Sequence, residues 1–229
     1  LKGYNMITID DINFYVAHYR PLCDRKTYID NIFQYYGIPI TYITEYDKEE
    51  INQNVMRAYY NPSAWKSHLQ ESNYYDANIP FRSLRPAEIS LCIKFSKFLD
   101  LIQSQSKYSM WLEDDVILCE DWKNTFSRYL EKLDNNWDMI FWGDSYNLKD
   151  GLSPDMYFYT MIPPRSKCSE SILINPRSYL KIKECITPFS LPLDFSLTRV
   201  CGKLGLRVYW AEPPIFLQGS SFKYKSSIA

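Results

Sequence analysis

The sequence predicts an α/β protein built around a parallel sheet, and three observations predict it. Strand, helix, strand and helix patterns follow one another between Asn13 and Ala58, which is how a parallel sheet with crossover helices reads. Of 229 residues, 46% are hydrophobic, enough to bury a substantial core without disulfide or metal staples. An apolar strand then runs straight into Glu113-Asp114-Asp115, and in open α/β sheets the carboxyl ends of strands are where ligands bind.

Residues Asn13 to Tyr19 are aromatic and β-branched and read as the first buried strand. Asp24 is a plausible N-cap for a helix running to about Tyr36, with Gly37 as its stop. Ile38 to Ile43 reads as a second strand, followed by a short acidic helix from about Asp47 to Ala58. Asn61 to Arg82 is polar and Tyr-rich with no clean period, so a long loop is expected there, either a ligand lid or a plain excursion. Pro86 suits a first helical turn, and Leu91, Phe95, Phe98 and Ile102 form a helical stripe that Ile89, Cys92 and Leu99 broaden. Tyr108 to Leu112 reads as a strand, Asp121 to Leu133 as a helix and Asp138 to Trp142 as a strand. Tyr157 to Ile162 and Ser171 to Ile174 are further strands, and Pro176 to Cys185 is a helix. Leu193 to Leu204 is helical by pattern, Leu206 to Trp210 is a late strand, and Pro213 to Ala229 reads as a polar, loop-like tail.

Composition excludes several classes of function. With 26 Lys and Arg against 27 Asp and Glu, the net charge of -1 argues against a nucleic-acid partner. The six cysteines form no C-x-x-C pair, and His18 and His68 are the only histidines, so a clustered Cys/His zinc site is ruled out. Cys92 and Cys201 lie in apolar surroundings and read as buried free thiols, which favours a reducing, cytoplasmic location, with peripheral membrane association left open. No apolar run reaches membrane-spanning length, no signal peptide is visible, and a chain beginning at Leu1 fits a domain excised from a longer protein. With 7 Gly there is neither a G-x-G-x-x-G nor a P-loop, which removes Rossmann dehydrogenases and P-loop kinases.

The acidic triplet carries the chemistry. Three adjacent carboxylates at the end of an apolar strand repel one another unless a cation is present, and Mg²⁺ or Mn²⁺ takes oxygen ligands while also carrying phosphate oxygens. If the strand persists, Glu113 and Asp115 face one way and Asp114 the other; a solvated acidic turn is the alternative. Asp194, in Pro192-Leu193-Asp194-Phe195, is a lone acid at a helix start amid apolar neighbours. It reads either as a base of raised basicity or as a charge favoured by the helix dipole. Asp144 after the Met139 to Trp142 strand is the reserve base or an acceptor-binding residue, and Trp142 and Tyr146 either stack on a sugar or belong to the core.

Several elements in order resemble glycosyltransferase family 25, which includes lipopolysaccharide galactosyltransferases and collagen glycosyltransferases. Asp24-Arg25 matches its Asp-Arg pair, and Leu84-Arg85-Pro86-Ala87-Glu88-Ile89-Ser90 with Cys92 resembles its helix-opening motif. Leu112-Glu113-Asp114-Asp115 matches its acidic element, and Ala211-Glu212-Pro213 with Gln218-Gly219-Ser220 resembles its ending. The resemblance runs from about Asn13 to Ser227. The family commonly has Ser-His where this chain has Lys94-Phe95, so Lys94 either reaches the donor phosphate or is a surface lysine.

The resemblance implies a single GT-A-like domain over 1–229, a Rossmann-like mixed sheet flanked by helices. A nucleotide-sugar-binding half spans about 12–118, and an acceptor half with the tail spans 119–229. It implies a metal-dependent inverting transfer of a galactose- or glucose-type hexose from a UDP-sugar to a hydroxyl of a glycan or glycoconjugate, lipopolysaccharide among them. Asp115 would hold Mn²⁺ or Mg²⁺, Glu113 would contact the metal or the nucleotide ribose, Gln218 or Ser220 would complete the metal or diphosphate site, and Asp194 would be the base, Asp144 its reserve. Ala17, His18, Tyr19, Arg25, Arg85, Glu88, Lys94 and Asp114 would line the donor, Arg25 at a phosphate or bracing the loop. A non-catalytic sugar-binding module of the same fold, or a two-carboxylate glycoside hydrolase using Asp115 and Asp194, are the alternatives.

Overall fold

A computed structural model of the chain describes residues 6–72, 80–148, 152–153, 156–221 and 223–224. The parts of the expected loop at 73–79 and of the expected tail at 222 and 225–229 lie outside the described residues. In chain order the elements are β1 (Ile12–Ala17), α1 (Cys23–Tyr35), β2 (Ile40–Ile43), α2 (Gln53–Tyr59), α3 (Trp65–Glu71), α4 (Pro86–Ile102), β3 (Tyr108–Glu113), β4 (Val116–Leu118) and α5 (Trp122–Glu131). There follow β5 (Met139–Phe141), β6 (Phe158–Thr160), β7 (Ser171–Ile174), α6 (Tyr179–Ile186), α7 (Leu193–Lys203), β8 (Val208–Ala211) and β9 (Phe216–Gln218).

Seven strands form one mixed sheet in the order β2-β1-β3-β7-β5-β8-β6, and β4 pairs with β9 in a separate ladder. β1 is parallel to both β2 and β3, β7 runs antiparallel to β3 and β5, and β8 is parallel to β5. It follows that β1, β2, β3, β5 and β8 all point their carboxyl ends to one edge of the sheet. The sheet is thus the mixed one the resemblance implies and not the all-parallel one the strand–helix pattern predicts, with β7 inserted against the common direction and β6 antiparallel at the edge.

Side-chain alternation on the strands divides the core in two. Trp111, Tyr15, Phe141 and Ile172 face α4, α6 and α7, whereas Met110, Leu112, Phe14 and Leu173 face α1 and α5. α4 is buried almost all round, its Ile89, Cys92, Ile93, Phe95, Phe98, Leu99 and Ile102 in the core. Leu91 departs from the expected stripe and is only half-buried. Trp142 is wholly buried and packs edge-on to Phe126 at 4.6 Å between ring centres, so it belongs to the core and not to a sugar platform.

The structure corrects several local expectations. α1 begins at Cys23, so Asp24 sits in the first turn, where its charge faces the positive end of the helix, and Leu22 occupies the cap position. The expected helix from Asp47 to Ala58 is broken into a 3-10 turn, Lys48–Glu50, and α2, because Asn52 caps the latter through the amides of Asn54 and Val55 at 3.0 and 3.1 Å. Within the expected loop lies α3, held by the buried Trp65 and packed on α7; its seven residues are too few for a period to register. Strands β4 and β9 were not expected either, and β9 turns the tail back onto the protein. All six cysteines are free, with Cys92 and Cys201 buried. Among the described residues no helix is long and apolar enough to cross a membrane.

Candidate active site

A cleft enclosing about 670 Å³ opens at the carboxyl edge, over the ends of β1 and β3. Ala17 and Glu113 are register partners at those ends and both line it, as do Tyr19, Arg25, Asp114 and Asp115. The opposite wall is one face of α4, formed by Ala87, Ser90, Leu91 and Lys94, at the i, i+3, i+4, i+7 spacing of a helix face. Gln218 and Ser220 complete it from the tail. They arrive there because β9 pairs Gln218 with Val116 and Gly219 donates its amide to the Asp115 carbonyl at 2.8 Å. A Cβ at Gly219 would lie 2.4 Å from that carbonyl oxygen, so only glycine permits the approach.

The three carboxylates have distinct surroundings. β3 ends at Glu113 and a two-residue turn follows, so strict alternation stops there. Asp114 turns inward: its Oδ2 accepts from His18 Nδ1 and the Tyr19 amide, both at 2.9 Å, and its Oδ1 from Arg25 Nη1 at 2.8 Å. Burial alone would raise its pKa, but the hydrogen bonds from His18, Tyr19 and Arg25 outweigh it and hold the carboxyl below the ordinary range. Asp114 is thus a brace that orders the end of β1 and aims Arg25, and His18 stands behind it, 2% exposed, outside the cleft lining.

Glu113 and Asp115 are pushed the other way. Burial, then the nearby Asp115 charge, raises Glu113 well above the carboxylate range, although Ser169 Oγ donates to its Oε1 at 2.6 Å. Burial also raises Asp115, with Ser220 and Arg25 only partly offsetting it. Asp115 Oδ1 is buried without a hydrogen-bond partner, and an orphaned carboxylate oxygen beside a second crowded carboxylate is a donor set suited to a hard divalent cation. Among the described residues no group of three or more His, Cys, Asp or Glu converges to hold a metal. The pair therefore fits an ion that draws the rest of its shell from a ligand's oxygens rather than a protein-caged one.

The other expected donor residues are distributed as follows. Lys94 is buried, not at the surface, and its ammonium binds the His18 carbonyl and Asp47 Oδ1, the latter at 2.6 Å, so its charge is spent on the scaffold. Arg85 is exposed at the N-cap of α4 and does not line the cleft. Glu88 is also turned away, paired through both oxygens with Arg82 at 2.5 and 2.6 Å and accepting from the Arg85 amide. Asp144 sits beside the cleft with its Oδ1 accepting from the Gln218 amide at 2.6 Å, which makes it a clamp on the tail. Gln218 Oε1 in turn accepts from Ser145 Oγ at 2.6 Å.

Asp194 does not line this cleft. It lies in a second one of about 630 Å³ with Tyr146, Arg165, Lys167, Cys168 and Trp210, over the ends of β5 and β8 on the same sheet edge. Burial raises the Asp194 carboxyl, partly offset by its own and the Phe195 amide at the start of α7. The segment from Lys167 to Glu170 separates the two clefts: Lys167 and Cys168 line the second, while Ser169 holds Glu113 in the first.

Several residues of the site were not anticipated, Lys48 and Glu170 among them. Lys48 lines the first cleft, its ammonium 5.0 Å from the centre of the Tyr19 ring, and forms no ion pair among the described residues. It is carried there by the loop after β2, where Tyr46 takes a left-handed φ of 63° and its carbonyl accepts from Ser90 Oγ at 2.6 Å. Glu170, 1% exposed, accepts from the Asp144 amide at 2.9 Å and from the Cys168 thiol, and burial raises its pKa. Gly143 leaves room for it, since a Cβ there would lie 1.7 Å from Glu170 Oε1. A helix-face count on α4 would have found Ser90 and Leu91; nothing local marks Lys48 or Glu170.

No family model matches the chain, and no curated protein matches it. The solved structures similar to this chain include two faint likenesses. One is a glycosyltransferase involved in the glycosylation of the major capsid of PBCV-1, at 11% identity and a TM-score of 0.46 over 90% of this chain and 93% of that one. The other is A197 from STIV, at 11% identity and a TM-score of 0.42 over 90% of this chain and 82% of that one. Both likenesses are too slight to carry a function, which has to rest on the residues of the clefts.

Proposed function

We propose that the chain is a metal-dependent, GT-A-like glycosyltransferase that moves a galactose- or glucose-type hexose from a UDP-sugar to a glycan hydroxyl with inversion. The observation that carries the reading is the pairing of Glu113 with Asp115 at the end of β3, one oxygen of the pair buried and unpartnered on the floor of a cleft. That arrangement is uncomfortable for an empty site and suited to Mn²⁺ or Mg²⁺ that also holds a diphosphate. When bound, the ion would neutralise charge building on the departing nucleotide diphosphate.

This chain's own residues supply the rest. Arg25, aimed by Asp114, and Lys48 offer positive charge on the side of the cleft where the diphosphate would lie. Gln218 and Ser220 bring polar groups beside Asp115. Inverting transfer needs a carboxylate to take the proton from the attacking hydroxyl, and Asp194, raised by burial and facing a neighbouring cleft, is suited to that task. Asp144 is committed to the Gln218 amide and acts as a positioning residue.

The test is thermal denaturation with UDP and Mn²⁺ together, followed by nucleotide release across a panel of UDP-, GDP- and CMP-sugars. Wild type is expected to be stabilised by UDP with Mn²⁺ and by neither alone to the same degree, and Asp115→Ala to lose the shift. No shift in wild type with any nucleotide overturns the reading.

A further inference from the structure

We propose that the second cleft binds an acidic sugar, with Arg165 reading the negative charge and Asp194 facing a hydroxyl. That this sugar is the acceptor rests on the transferase reading; that the cleft binds it does not.

One charge in the cleft is already spent. Lys167 is fully buried and pairs with Glu212 Oε1 at 2.9 Å, its ammonium also donating to the Ala211 carbonyl at 3.0 Å. Ser166 and Thr198 share a hydrogen bond at 2.7 Å, and Ser166 Oγ donates to the Asp194 carbonyl at 2.8 Å. Arg165 is different. It is exposed at the rim and pairs with no carboxylate among the described residues. Its Cζ lies 5.2 Å over the Trp210 ring, and its carbonyl accepts from Trp210 Nε1 at 3.1 Å. Backbone and side chain are thus both tied to one indole. Stacking engages the face of a guanidinium and leaves its in-plane N–H donors for a carboxylate, which they match geometrically.

Asp194 sets the orientation. It is the second unpaired charge of the cleft, of opposite sign, and burial keeps it basic. An anionic group is repelled there and attracted at Arg165, so an acidic sugar enters with its charge at the rim and a hydroxyl toward Asp194. Tyr146, 58% exposed, adds an aromatic surface to the lining. The segment Lys167 to Glu170 runs between this cleft and the first.

The experiment uses methyl β-glucuronide and methyl β-glucoside, which share a ring and differ in the carboxylate. Each is titrated into the ¹⁵N-labelled protein without nucleotide or metal, reading the Trp210 indole signal, assigned with Trp210→Phe. Wild type is expected to bind the glucuronide about tenfold more tightly, the worth of one charge-assisted hydrogen-bonded pair. Arg165→Ala is expected to remove the preference, and Arg165→Lys to keep part of it. Equal affinities in wild type, a preference that survives Arg165→Ala, or no movement of the Trp210 signal with either sugar overturns the proposal. Failure of the transferase reading would show separately, as absence of stabilisation by UDP with Mn²⁺.

Discussion

Asp114→Asn separates bracing from ligand binding within the acidic triplet. The asparagine oxygen can still accept from the Tyr19 amide and His18 Nδ1, each now at 2.9 Å, so the end of β1 keeps its register. Its NH₂ then meets Arg25 Nη1, now a 2.8 Å partner, donor against donor. Asp114 and Arg25 are 7% and 3% exposed, so water cannot replace the lost contact. A hydrogen bond to a charged group is worth about 1.5–3 kcal/mol, and breaking a buried pair from one side costs about 3–5 kcal/mol. With two of three contacts kept, the expected loss is about 3 kcal/mol, or roughly 6–12 °C in Tm for a chain of this size. Urea unfolding followed by the buried tryptophans measures it, and Arg25→Met in the same background should recover part of the loss by removing the donor that clashes with the new amide. A Tm for Asp114→Asn within about 2 °C of wild type would refute the bracing role.

Two further substitutions test the surrounding frame. Gly143→Ala drives a methyl into Glu170 Oε1, whose carboxylate holds the Asp144 amide, so a loss of about 1–3 kcal/mol is expected from thermal unfolding. Adding Glu170→Ala should cost less than the sum of the two single changes, and simple additivity would show that the clash is not the cause. Asp138, 8% exposed, accepts from the Arg207 amide at 2.9 Å, Lys181 at 3.1 Å and Ser178. Burial raises its pKa, but Ser178, Arg207 and Lys181 together hold it below the ordinary value. A lowered carboxyl stabilises the fold above its unfolded pKa of about 3.9 and loses that contribution as pH falls through the folded value. Asp138→Asn is therefore expected to be about 2–4 kcal/mol less stable near neutrality, with the gap narrowing below about pH 4. Urea midpoints at the two pH values check it, and a gap independent of pH would count against the ion pairing.

Much of the frame was legible because it is written in local pattern. α4 falls on the expected Pro86 to Ile102, since proline opens it and a long apolar stripe sustains it. β3 and its acidic end were legible for the same reason: an apolar run stopping at three carboxylates needs no tertiary context to be noticed. What escaped depends on partners distant in sequence. β4 and β9 have three residues each and exist by pairing with one another, and α3 is a single short anchor around Trp65. The roles inside the triplet were unreadable because Asp114 is distinguished by His18 and Arg25, 96 and 89 residues away in sequence. Lys94 looked available in sequence because Asp47, which consumes its charge, is contributed by a different loop.

The same long-range contacts shape the first cleft for the charged ligand proposed for it. Its floor is fixed by the Asp114 and Lys94 ion pairs, which place cations beneath the cleft and leave Glu113 and Asp115 facing it. Its closing side depends on the β4–β9 ladder, with Phe216 packed against Trp122 and Phe126 at 6.1 and 6.0 Å between ring centres. An isolated two-stranded ladder is marginal in water, so it is this aromatic packing that makes the tail a stable wall. Gly219 then sets how close the wall comes, and the Asp144 clamp sets where Gln218 points. Crowding that would otherwise favour protonation of Glu113 and Asp115 is thereby built into the fold, and under the proposed reading a divalent cation would relieve it.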